Sequence, residues 1–158
     1  MGSDTVISER ALREIYLTGF EIAVRDAQPM SIMTSYNMIN GVHAANCYDI
    51  CTKAARDEWG FAGAIMTDWT TTTSSPRGEC TASGCMRAGN DMVMPGSQRD
   101  HENLRQELAA GTLDIRALRR CVWNTARIIL ASNCYEEAES YLKQFEGLGE
   151  FMSAVSGD

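Results

Sequence analysis

The sequence predicts an α/β protein in which short parallel strands alternate with helices. Three apolar stretches have the length of strands, namely residues 30–36, 64–68 and 91–94. The segments between them repeat apolar residues at the three- and four-residue spacing of amphipathic helices. Strands that alternate with helices form βαβ units, and the strands of such units are parallel.

Each predicted helix is marked by a cap, a terminating residue or an apolar stripe. Ser8 is a suitable N-cap for the first helix, and Pro29 prevents its continuation. Gly60 supplies the left-handed residue after the second helix, and Gly111 ends a later one. The predicted helices are residues 8–26, 48–58, 82–88, 103–110, 114–131 and 135–146.

Two polar stretches predict loops beside the strands. Residues 37–46 contain an Asn40-Gly41 turn, and residues 70–79 are rich in Thr and Ser. We expect the second loop to cover the C-terminal side of the strands. Residues 147–158 are predicted to be a frayed tail.

The central strand ends in an acid and an indole. The uncharged run at residues 64–66 leads directly to Asp68 and Trp69. Side chains alternate along a strand, so Asp68 is predicted to share one face with Met66 and Ala64. The C-terminal ends of parallel strands carry the chemistry in many α/β proteins. An acid beside an aromatic ring suits carbohydrate chemistry, and the alternative is an acid that only caps the next turn.

Composition and charge exclude several classes of partner. The chain has 158 residues, of which 44% are hydrophobic and 22% charged, with a net charge of -7. This negative charge argues against nucleic acid and anionic membranes. The sequence contains no apolar run of the ~20 residues that span a bilayer. The start of the chain does not resemble a signal peptide, so we expect a cytoplasmic protein.

Six cysteines could indicate disulfides or a metal. Their spacing matches zinc motifs poorly, so we expect thiols in a reducing compartment, with neither metal nor cofactor. They are Cys47, Cys51, Cys80, Cys85, Cys121 and Cys134.

Three strands are too few for a stable open sheet, and they leave two unpaired edges. The chain is therefore predicted to be part of a larger structure.

Five segments occur in an order and at a spacing that resemble the barrel domain of family-three glycoside hydrolases, the β-glucosidase and β-xylosidase group. They are residues 8–16 (SERALREIY), 33–37 (MTSYN), 56–61 (RDEWGF), 66–69 (MTDW) and 88–96 (AGNDMVMPG). The resemblance covers about residues 8–131. The sequence of the last segment is most similar to that of family members with swapped domain order, in which the barrel comes last.

The resemblance implies the last three βα units of an incomplete (β/α)8 TIM-like barrel. Residues 1–131 would form this partial barrel, and residues 132–158 a C-terminal helix and tail. The upstream half of the barrel and the α/β sandwich domain of the family would be missing partners.

The resemblance also implies a fragment of a retaining β-glycosidase, with Asp68 as its nucleophile and a β-glucoside or oligosaccharide as substrate. Trp69 is similar to the aromatic wall of the sugar subsite, Tyr36 to a tyrosine near the nucleophile, and Met33 to a methionine lining the pocket. Strict alternation separates Met33 from Tyr36 unless the strand ends or bulges at Ser35. The isolated chain is expected to lack enzyme-like activity.

Other interpretations remain open. The chain could be an inactive barrel fragment that only assembles or binds sugar weakly, or it could belong to the β-N-acetylglucosaminidase branch. Asp57 and Asp91 are further acids, which we interpret as a solvated group and a structural group. His43 could line an outer sugar subsite, but a solvated loop histidine is the favoured interpretation.

Overall fold

The computed structural model describes residues 3–74 and 80–132 of the chain and has the predicted α/β class. The predicted helix 135–146 and the tail lie outside these residues. The strands are β1 (Asp4–Thr5), β2 (Ser31–Thr34), β3 (Met38–Ile39), β4 (Val42–His43) and β5 (Ala64–Thr67). The helices are α1 (9–27), α2 (Asp49–Glu58), α3 (Thr71–Ser74), α4 (Ala82–Ala88), α5 (Gln98–Ala109) and α6 (Ile115–Ala131).

The central sheet pairs β2 and β5 in parallel, from Ser31 opposite Ala64 to Thr34 opposite Thr67. The predicted third strand is reduced to one parallel bridge, between Met66 and Met92. A regular ladder cannot form there because the amides of Asp91 and Met92 both donate to the Ile65 carbonyl, at 2.7 and 3.1 Å.

The two faces of this sheet differ in burial. Ile65 and Thr67 are fully buried, and Ile65 packs in an apolar cluster with Val24 and Trp59. On the opposite face Met66 is half-buried, and its partner Met33 is 54% exposed. Ala64, on the same face as Met66, is also fully buried, so this face of β5 opens to solvent only from Met66 onward.

A second sheet was not predicted. The Asn40-Gly41 turn joins β3 and β4 as an antiparallel hairpin, and both turn residues have positive φ, at 50° and 82°. That is the backbone of the two-residue hairpin turn that Asn-Gly favours. The two-residue strand β1 pairs in parallel with β3, and the Asn40 side chain bonds both backbone groups of Ile7.

Two helical regions differ from the prediction. α5 begins at Gln98 rather than at 103, because the Ser97 hydroxyl accepts from the Asp100 amide as an N-cap. The predicted loop 70–79 contains the short helix α3, in which Thr71 and Thr72 are buried. α1 is continuous from residue 9 to residue 27, with π-type hydrogen bonding over Leu12–Leu17.

A buried polar network joins the sheet to two helices. Asp91 Oδ2 accepts from Arg56 Nη2 at 2.5 Å and from the Ile65 amide at 2.8 Å. Its Oδ1 accepts from Asn124 Nδ2 at 2.9 Å. Asp91 therefore has the structural role that its position at the start of a strand indicated. Within residues 3–74 and 80–132, no helix is long and apolar enough to cross a membrane.

Candidate active site

The backbone of Asp68 is held on both sides at the end of β5. Its amide donates to the Thr34 carbonyl at 3.2 Å, which extends the pairing of β2 and β5 by one bond. Its carbonyl accepts from the Thr71 hydroxyl at 2.8 Å. Because Thr71 is buried, the first turn of α3 fixes the chain immediately after the strand.

The Asp68 carboxylate is surrounded by hydrogen-bond donors. Its Oδ1 accepts from the Trp69 amide at 2.7 Å. The Tyr36 hydroxyl lies within hydrogen-bond reach of both the Asp68 carboxylate and the Trp69 carbonyl, the latter at 2.7 Å. The pKa of Tyr36 is raised by desolvation and by its hydrogen bond to Asp68. The phenol therefore stays protonated, and its one proton is donated to the Trp69 carbonyl beside the carboxylate.

The indole of Trp69 stands open to solvent beside this carboxylate. The residue is 58% exposed, although both of its backbone groups are hydrogen-bonded. An exposed indole next to an acid offers a flat apolar face and a polar group to one ligand. A sugar ring has the matching apolar face and hydroxyl edge.

Thr70 is a feature of the site that sequence reasoning missed. It has a left-handed backbone, with φ of 57°, which is unusual for a β-branched residue. Its amide donates to the Met94 carbonyl at 2.8 Å, while the Met94 amide donates to Thr67 Oγ1 at 2.9 Å. Such backbone conformations cluster at functional sites. A threonine in a Thr-rich loop gives no local signal of this conformation.

A buried polar contact supports the strand ends from below. Asn90 is fully buried, and its Nδ2 donates to Thr34 Oγ1 at 3.0 Å and to the Ala45 carbonyl at 3.3 Å. Asn90 lies in the segment 88–96, yet its contact with Thr34 spans 56 residues and could not be read from the sequence.

The structure brings Asp68, Trp69 and Tyr36 together, and it places Met33 farther along the strand. β2 ends at Thr34, so Tyr36 escapes the strict alternation that would have separated it from Met33. Met33 pairs with Met66, two residues before Asp68, and borders an apolar cavity of about 130 Å³ between α1, α2 and the sheet. The side-chain roles of all four residues stay predictions.

The favoured interpretation of His43 as a solvated loop residue is wrong. His43 is buried at the end of β4, and its Nδ1 accepts from the Ala45 amide at 3.2 Å. The hairpin carries the ring inward, and the Asn40-Gly41 turn indicated a reversal of the chain but not the burial of this ring. Asp57 is exposed on α2, as a solvated acid should be.

An α/β fold with a carboxylate and an indole at the end of a parallel strand defines a class of candidate glycosidases. The chain matches the glycosyl hydrolase family 3 N terminal domain over residues 2–128. It therefore belongs to glycosyl hydrolase family 3.

Individual relatives are similar over most of this chain. A β-glucosidase of Ruminococcus albus is 39% identical over 136 residues, which are 82% of this chain and 14% of that protein. An exo-α-(1→6)-L-arabinopyranosidase of Bifidobacterium breve is 46% identical over 99 residues, which are 63% of this chain and 12% of that protein. The structure of β-glucosidase 3B from Thermotoga neapolitana in complex with glucose superposes with a TM-score of 0.76 at 35% identity, covering 85% of this chain and 19% of that one. The chain thus spans less than one fifth of the length of these relatives.

Proposed function

We propose that this chain carries the nucleophile of a retaining β-glycosidase of the β-glucosidase type, and that Asp68 is that nucleophile. One observation carries the proposal. The Asp68 carboxylate follows the C-terminal end of β5, accepts from the Trp69 amide, and lies beside the Tyr36 hydroxyl and an exposed indole. The names of the relatives support the same substrate class.

In the proposed reaction the ionised carboxylate attacks the anomeric carbon of the sugar and displaces the leaving-group oxygen. A covalent glycosyl-enzyme forms and is then hydrolysed by water, which retains the configuration. The Trp69 amide orients Oδ1 of Asp68, which leaves Oδ2 to attack. The Trp69 ring would form the wall on which the sugar packs.

A retaining enzyme needs a second carboxyl group ~5–5.5 Å from the nucleophile. We expect the general acid to come from another part of the catalytic assembly. The upstream half of a (β/α)8 barrel and an α/β sandwich domain are the expected sources, and the described strands would be the last strands of that barrel.

A covalent trap tests the nucleophile without a general acid. The reagent is a 2-deoxy-2-fluoro-β-glucoside with a dinitrophenolate leaving group. This leaving group departs without help from a general acid, so labelling depends mainly on the attacking carboxylate. We expect peptide mass mapping to find the label on Asp68. Asp68→Asn should abolish the label, and the control Asp57→Asn, which changes an exposed acid on α2, should keep it. A label on Asp57 or Asp91 would contradict the proposal.

A hybrid enzyme tests turnover. In this hybrid, the 136 aligned residues of this chain would replace the matching segment of the Ruminococcus albus β-glucosidase, to which they are 39% identical. We expect the hybrid to hydrolyse a chromogenic β-glucoside, and Asp68→Asn to lower kcat by at least ~10³-fold because no covalent bond can form. An Asp68→Asn hybrid with most of its activity would remove Asp68 from the mechanism.

A second substrate class is favoured by one comparison, the 46% identity to the arabinopyranosidase. The same hybrid, assayed with aryl β-glucoside, β-xyloside, β-N-acetylglucosaminide and α-L-arabinopyranoside, ranks the four specificities by kcat/KM. Loss of activity toward all four in a well-folded hybrid would favour the inactive-fragment alternative.

A further inference from the structure

Two cysteines lie side by side at the start of α4. The Sγ atoms of Cys80 and Cys85 are 3.8 Å apart, and both residues are buried. A disulfide has an S–S length of ~2.05 Å, so the two sulfurs need to approach by less than about 2 Å. Cys80 precedes the N-cap Thr81, and Cys85 lies one turn into the helix. A turn of the Cys80 side chain can therefore bring the sulfurs together without unwinding α4.

The pair is set among polar groups rather than in a purely apolar core. Asn46 Oδ1 lies 3.4 Å from the Cys80 sulfur and 3.2 Å from the Cys85 sulfur. His43 also hydrogen-bonds Cys80. Because His43 Nδ1 accepts from the Ala45 amide, the neutral ring carries its proton on Nε2 and can donate it to that sulfur.

These contacts shift the pKa values of the two thiols in opposite directions. The hydrogen bond from Cys85, followed by that from His43, lowers the pKa of Cys80 to about 6, although burial acts in the opposite direction. The pKa of Cys85 is raised by its bond to Cys80 and by burial. Burial raises the pKa of Cys51 and of Cys121 to about 12. Among these buried cysteines, Cys80 is the one whose thiolate form is favoured by its neighbours.

We propose that Cys80 and Cys85 form a reversible disulfide on reaction with hydrogen peroxide. Cys80 is the attacking thiolate and Cys85 the resolving thiol. The residues concerned are distinct from Asp68, Trp69 and Tyr36, and the inference does not depend on glycosidase activity.

The reaction balances in two steps. The Cys80 thiolate attacks one peroxide oxygen, the O–O bond breaks, and the departing hydroxide takes up a proton to become water, leaving a sulfenic acid on Cys80. The Cys85 sulfur then attacks the Cys80 sulfur, the S–S bond forms, and the sulfenic hydroxyl leaves as water with the Cys85 proton. Both sulfurs are oxidised and the peroxide is reduced to two waters in total.

Burial restricts the choice of oxidant. Both sulfurs are buried, which favours a small oxidant such as hydrogen peroxide over a protein disulfide.

The test uses the full chain, reduced and then treated with hydrogen peroxide. The chain is then unfolded in denaturant, and the remaining thiols are alkylated with maleimide and counted by mass spectrometry. The chain has six cysteines, so we expect the count to fall from six to four, with a Cys80–Cys85 cross-linked peptide and recovery by dithiothreitol. Glutathione disulfide should react at least ~10-fold more slowly.

Variants separate the two roles. In Cys85→Ser the reaction should stop at a sulfenic acid on Cys80, which dimedone traps, whereas Cys121→Ser should behave as the unchanged chain. His43→Phe should slow the reaction at pH 7, because the thiolate loses a donor. A count that stays at six, or a disulfide that links any other pair, overturns the proposal. The unchanged chain gives both the thiol count and the cross-linked peptide, so the test does not depend on the folding of any variant.

Discussion

Replacement of Asp91 by Asn is expected to destabilise the chain severely. The Asp91 side chain is 0% exposed and that of its partner Arg56 is 12% exposed. Three donors point at the carboxylate, from Arg56, Ile65 and Asn124. An amide has one acceptor oxygen, and its NH₂ group would face a donor. Asp91→Asn therefore leaves a buried cation without its counter-charge and at least one donor unsatisfied.

Removing one partner of a buried ion pair typically costs about 3–5 kcal/mol. For a chain of this length that loss corresponds to a fall in Tm of roughly 6–20 °C. Urea unfolding followed by circular dichroism measures the free energy of unfolding, and a thermal scan measures Tm. Because Asp91 bonds the Ile65 amide within β5, the variant should also loosen the strand that ends at Asp68.

The matched control is Asp57→Asn, which removes an exposed acid from the same helix that carries Arg56. Its effect should stay within about 0.5 kcal/mol. If Asp91→Asn changed the free energy of unfolding by less than 1 kcal/mol, or no more than Asp57→Asn, the network would not hold β5 in place and the reasoning would be refuted.

Three further outcomes are expected. At micromolar concentration the chain should self-associate, because Met33 on the open sheet face and Ile15, Tyr16 and Phe20 on α1 are exposed; light scattering that shows only monomer would contradict this. Gln28→Gly should stabilise the chain by about 1 kcal/mol, since Gln28 has φ of 45° after α1, while Gln106→Gly inside α5 should destabilise it by a similar amount in the same urea assay. Asp68→Asn should lower the pKa of Tyr36, because the charge and the hydrogen bond that raise it are reduced, and ¹³C NMR of the tyrosine ring measures this shift; an unchanged pKa would mean that the phenol does not contact the acid.

The parts of the fold that the sequence predicted were those encoded locally. The run from residue 64 to Trp69 predicted a buried strand with an acid at its end, and β5 followed by Asp68 has that arrangement. Ser8, Gly60 and Gly111 marked helix ends because caps act within one turn.

The parts that escaped prediction depend on contacts distant in sequence. β1 has two residues and pairs with a strand more than thirty residues away, so no periodicity reveals it. The Asp91–Arg56 bond spans 35 residues. In the sequence its donor, Arg56, is only a charged residue on a predicted helix. The burial of His43 beside Cys80 depends on the packing of α4, which leaves no local pattern, although the Asn40-Gly41 turn before His43 does.

The two bonds of Met94 have a mechanical consequence for the acid. Met94 holds Thr67 through its amide and Thr70 through its carbonyl, so the dipeptide Asp68-Trp69 is a short span anchored at both ends to one neighbouring residue. The backbone of that span cannot swing toward or away from a bound molecule. Only rotation of the Asp68 side chain remains, and the carboxylate is preorganised before any ligand arrives.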